Sequence, residues 1–133
     1  MARSIAKNYR SAQINTAGPG QRVVLMYEGL VKELKKGKQG IVKSKTEISA
    51  MEVAHNALSL SSQIILELRL ALDMDKGGEI ATNLRDLYDF WVAQISEANT
   101  QKDAQLLNPI ISMAEELRDT WKEATNKARQ IGA

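Results

Sequence analysis

The chain has 133 residues, 44% hydrophobic and 26% charged, the balance of one folded domain rather than of a disordered or collagen-like chain. It has no cysteine, which excludes disulfide frameworks, thiol catalysis and Cys-based zinc sites, and two prolines with one Phe disfavour a loop-rich all-β fold. The net charge of +2 hides a division: residues 1–45 carry ten Lys/Arg and two glutamates, residues 46–133 eight Lys/Arg and fourteen Asp/Glu. The basic third is matched either to the acidic remainder of its own chain or to an acidic partner. No apolar run approaches the ~20 residues of a membrane span. MARSIAKNYR lacks the apolar stretch of a secretory signal, so a cytoplasmic protein that is not membrane-embedded is expected.

Residues 1–18 show no sustained periodicity; Ile5, Tyr9 and Ile14 are scattered among polar residues, which predicts an N-terminal arm. Thr16-Ala17-Gly18-Pro19 then reads as a helix start, because Pro is tolerated in the first turn. Val23, Tyr27, Leu30 and Leu34 follow at steps of four, three and four. Six lysines and two glycines (Gly37, Gly40) between Lys32 and Lys45 leave the end of this helix undefined and read as a solvated, flexible terminus. A second helix is predicted from a cap at Thr46 to about Asp73. Its seam is Met51, Ala54, Leu58, Ser61, Ile65, Leu68 and Leu72, and a second stripe runs through Val53, Ala57, Leu60 and Ile64 with Leu66 and Leu70 beside it. After the turn Asp75-Lys76-Gly77-Gly78, a third helix from about Glu79 to Ala98 aligns Ile80, Leu84, Leu87, Trp91, Ile95 and Ala98, with Tyr88 adjacent. Leu107, Ile110, Ala114, Leu117, Trp121, Ala124, Ala128 and Ile131 mark a fourth, in which Pro109 either makes a kink or sets the true start with Asn108 as cap. Four such segments joined by short turns predict an all-α, antiparallel up-down four-helix bundle over residues 19–133, preceded by the arm at 1–18.

The sequence offers little to a catalyst. His55 is the single histidine, so the paired Glu-x-x-His ligands of a bundle metal site are not available. Glu115-Glu116 and Asp86/Asp89 fall on polar faces, and no glycine-rich loop follows a strand; no enzyme, cofactor or metal is expected. The lysines of 32–45 are the one feature favouring a structural or nucleic-acid-associated bundle, but no aromatic residues interleave with them for base stacking. The second helix carries more apolar surface than one seam requires. It is therefore broadly buried, or dimerises, or presents a groove to an amphipathic helix from another protein.

Particular strings narrow this choice. Thr16-Ala17-Gly18-Pro19 followed by Leu25-Met26-Tyr27-Glu28-Gly29, then Leu72-Asp73-Met74-Asp75-Lys76-Gly77-Gly78-Glu79-Ile80-Ala81 with Asn83-Leu84 and Leu87-Tyr88-Asp89, resemble the flagellar secretion chaperone FliS family. Ala98-Asn99 and Trp121-Lys122 follow at family spacing, and the resemblance spans about residues 5–125 apart from 35–50. It implies a cytoplasmic chaperone that binds the disordered C-terminal region of flagellin, prevents premature polymerisation and presents it to the export-gate protein FlhA. It also implies an arm that occupies the chaperone's own groove, with Tyr9 as the arm tyrosine. A disordered client needs a long apolar track to offset its ordering entropy. Candidate partner contacts are Tyr9, Val53, Leu60, Ile64, Leu68, Leu87 and Tyr88, each from the second helix onward reading equally as core or groove, and Tyr88 more as core. Arg22, where the family commonly has Leu, and Pro109 depart from the pattern.

Overall fold

A computed structural model of the chain describes residues 19–132. The arm predicted at 1–18, with Ile5, Tyr9 and Ile14, lies outside the described residues. The elements are α1 (Pro19–Ser44), α2 (Ala50–Leu70), α3 (Gly78–Gln101), one turn of 3-10 helix (Ala104–Leu107) and α4 (Asn108–Gly132), with no strand among the described residues. The fold is a four-helix bundle. α1 packs along α2 and α4, and α2 along α3, while the 3-10 turn touches α1, α3 and α4.

α1 begins at Pro19 and runs without interruption through Gly37 and Gly40. The flexible terminus expected at Lys32–Lys45 is therefore corrected to regular helix as far as Ser44, whose hydroxyl donates to the Ile41 carbonyl at 2.6 Å. The glycines are there for packing: a Cβ at Gly40 would stand 2.9 Å from the Cα, N and Cβ of Ala54, and one at Gly37 would meet the Leu58 side chain. Two mid-helix glycines cost about 1 kcal/mol each in helix propensity. Leu34 and Ile41, both fully buried, offset this at roughly 1.5–3 kcal/mol apiece.

α2 starts later and ends earlier than its periodicity predicts. The Thr46 hydroxyl turns back to the Lys43 carbonyl at 3.3 Å, closing α1 rather than capping α2. At the other end Asp73 is committed to a turn, its carboxylate accepting from the backbone N–H of Asp75 (3.1 Å) and Lys76 (2.9 Å). Gly78 then adopts φ +56°, a left-handed conformation that a side chain would strain. α3 extends beyond Ala98 to Gln101 and stops at Lys102, also left-handed. Asp103 accepts from the Gln105 N–H at 3.0 Å, capping the 3-10 turn, so Pro109 falls in the first turn of α4, where its missing N–H costs nothing.

Tyr27, Leu30, Leu58, Ile65, Trp91, Ile95 and Ile110 form the centre of the core, where the Tyr27 and Tyr88 hydroxyls meet at 2.5 Å and tie α1 to α3. Four predicted seam residues are exposed: Met51 and Ile80, each near the start of its helix, and Ala124 and Ala128 in the second half of α4. Exposed ion pairs mark the flanks, Lys35–Glu115 at 3.1 Å between α1 and α4 and Arg69–Asp89 at 2.7 Å between α2 and α3.

Candidate functional site

Nothing in the described residues is arranged for catalysis by metal: no three His, Asp or Glu come together as a ligand group. His55 Nδ1 lies 3.0 Å from the Asn99 side-chain amide, a link between α2 and α3. What the surface does offer is apolar area: Ile48, Val42, Leu66 and Leu70 stand exposed, and two sides of the bundle join exposed apolar residues to the core.

One side lies along the outer edge of the α1–α2 pair. Arg69 and His55 face α3, so the opposite flank of α2, holding Val53 and Leu60, turns away from α3. Val53 is 44% exposed and Leu60 half-buried against the core. The facing bank of α1 holds Leu25 and Gly29, both half-buried, then exposed Lys32, Lys36 and Lys43. Near its end Lys36, Gln39, Gly40 and Lys43 line a shallow groove with Ala50 and Val53, and Glu47 sits at the turn. The groove has a low floor because Gly40 and Ala50 carry little or no side chain.

The second side lies between α3 and α4. Asp89 and Asn99 face α2, and Glu115 faces α1, which leaves the flanks of α3 and α4 bearing Leu87, Phe90, Met113 and Leu117 toward one another. The α3 and α4 backbones approach each other less closely than the other sequential helix pairs do. Leu84, Leu87, Leu117 and Trp121 are each packed on the core yet part-exposed, while Phe90 is 57% and Ile80 73% exposed.

The candidate contacts therefore divide. Val53, Leu60 and Leu87 have accessible surface on these two sides. Ile64, Leu68 and Tyr88 are core residues, 2–3% exposed, so in this structure the core reading replaces the groove reading for all three. Ile64 lies beside Gly29 because α1 covers that part of α2's second stripe. Tyr9 lies outside the described residues. Sequence reasoning missed Phe90, and the signal was present: a large apolar residue next to the Leu84–Leu87–Trp91 seam but not on it.

The family model described as "Flagellar protein FliS" matches residues 1–128. A flagellar secretion chaperone FliS of Vibrio cholerae is 32% identical over 112 residues, covering 84% of this chain and 79% of that protein. The FliS of Salmonella typhimurium is 32% identical over 120 residues (86% and 82%), and that of Bacillus subtilis 27% over 122 (92% and 86%). A crystal structure of a bacterial flagellar chaperone superposes with a TM-score of 0.73 over 96% of this chain and 99% of that one, at 20% identity, which shows the shared bundle fold. Helical order, turn chemistry and these matches agree, and the chain belongs to the FliS family of flagellar secretion chaperones.

Proposed function

We propose that this protein binds the C-terminal region of flagellin in the cytoplasm, holds it back from polymerising, and presents it to the export-gate protein FlhA. The observation that carries this reading is the pair of part-exposed apolar sides laid over a fully packed core. Leu60, Leu87 and Leu117 each keep one face in the core and one toward solvent. A track laid over an already packed core suits a segment that folds as it binds, because little of the described part of the chaperone has to be ordered as well. The partner contacts proposed are Val53 and Leu60 on one side and Leu87 and Phe90 on the other, with Ile64, Leu68 and Tyr88 supporting them from below. The relatives are named chaperones, and no catalytic step, cofactor or nucleic-acid contact is part of this role.

Co-expression with flagellin from the same bacterium, followed by size-exclusion chromatography, is the direct test. A stoichiometric complex is expected with the native chain. Val53→Asp combined with Phe90→Ser, both at exposed positions, is expected to weaken binding roughly tenfold or more while leaving the melting temperature nearly unchanged. Undiminished complex formation by that variant rules out these two sides as the client track.

A further inference from the structure

Resting on this reading, we infer that the client segment seated along the α1–α2 groove is an amphipathic helix with a row of carboxylates down one edge, held by Lys32, Lys36 and Lys43. The three lysines stand at steps of four and seven, so they share one stripe of α1 and span roughly 16 Å along it at 1.5 Å per residue. All three are exposed, and none forms an ion pair with a carboxylate among the described residues, in contrast to Lys35, which is engaged by Glu115. Opposite the lysines the stripe of α2 supplies no counter-charge, reading Val53, Asn56, Leu60 and Gln63; its next member, Glu67, is itself engaged in an interaction. Glu47, at the turn, brings an acidic group to the groove, and half-buried Glu33 follows Lys32 on α1.

The groove is thus asymmetric, with a basic bank, an uncharged and partly apolar bank, and a floor kept low by Gly40 and Ala50. A helix lying in it places apolar residues against Val53 and Leu60 and one flank beside the lysines. Carboxylates on that flank at i and i+4 fall at the spacing of Lys32 and Lys36. The lysines fix which way the client helix is rolled and speed its encounter, whereas the apolar bank supplies most of the affinity. A nucleic acid would use the lysines but gain nothing from the apolar bank.

The test measures binding of the full chain to a synthetic C-terminal flagellin peptide from the same bacterium, by calorimetry at low and high salt. K36E/K43E is expected to bind on the order of tenfold more weakly at low salt, with the gap narrowing at high salt. Among peptides in which single Asp or Glu residues are replaced by Lys, at least one is expected to bind K36E/K43E better than it binds the native chain. Should K36E/K43E match the native chain within twofold while Val53→Asp/Phe90→Ser still loses affinity, the acidic edge is wrong and the chaperone reading stands. No binding of the peptide by the native chain at either salt overturns both. Binding of a duplex oligonucleotide that K36E/K43E loses, with peptide binding unaltered, overturns the inference in favour of a phosphate contact.

Discussion

Tyr27 and Tyr88 place two hydroxyls against each other inside the bundle, and neither has water to turn to. Burial is the main reason that the Tyr27 phenol is held far above its ordinary ionisation range, with the neighbouring Tyr88 adding to it; burial raises Tyr88 as well. Both stay neutral in the folded chain, while in the unfolded chain each ionises near pH ~10. Folded pKa values above the unfolded ones mean that this contribution is complete below pH ~10 and is lost as pH rises beyond it. Unfolding free energy is therefore expected to fall above pH ~10 by up to about 1.4 kcal/mol per pH unit for each tyrosine. Y27F/Y88F removes both titrations and is expected to flatten that slope in urea denaturation followed across pH. At neutral pH either single Phe variant orphans a buried hydroxyl and costs about 1–3 kcal/mol, and the double variant costs less than the two singles together. Periodicity placed Tyr27 on the inner stripe of its helix. It did not reveal that Tyr88, 61 residues away, would be its partner, because a stripe names a face and not a neighbour.

Helix ends and helix crossings depend on contacts that a repeat pattern does not encode. The steps of three and four gave all four helices, and the turn at Asp73–Gly78 was visible from its Asp and Gly residues. Thr46 misled because its hydroxyl serves the helix before it rather than the one after. Gly37 and Gly40 read as loosening from α1 alone; only beside Ala54 and Leu58 do they become the places where two helices touch. Gly40→Ala would gain up to about 1 kcal/mol of helix propensity but drives a methyl to within 2.9 Å of the Ala54 backbone. A net loss of about 1–3 kcal/mol is expected, read from the urea midpoint. Gly29→Ala is the contrasting case: its Cβ would lie 3.7 Å from Ile64 Cδ1, an ordinary contact, and a gain of roughly 0.5–1 kcal/mol is expected from the same measurement. Equal effects at the two positions would show that the helices separate to admit the Gly40 methyl.

At the scale of the molecule, the bundle was legible because every helix repeats its apolar residues over several turns. The proposed binding surface was only half legible. Val53, Ala57, Leu60 and Ile64 form one stripe, yet α1 covers Ala57 and Ile64 and leaves Val53 and Leu60 at the edge, a division set by where the neighbouring helix lies. Phe90 stands 57% exposed because it lies off the buried seam of α3. The resemblance to the family implies an arm that would compete with the client for its own track. Removing residues 1–15 is then expected to tighten peptide binding in proportion to the time the track is covered, about tenfold for nine-tenths coverage. Equal or weaker binding by calorimetry rejects the competition.

The meeting of Gly40 with Ala54 has a mechanical consequence. Main chain rests on main chain there, so the first two helices have a single seating and slide only at the expense of a steric collision. The flank holding Leu87, Leu117 and Trp121 meets the core through part-exposed side chains, which can change rotamer. The molecule accordingly has a stiff spine and a pliable lip, and under the proposed function accommodation to client tails of differing bulk would be confined to the lip.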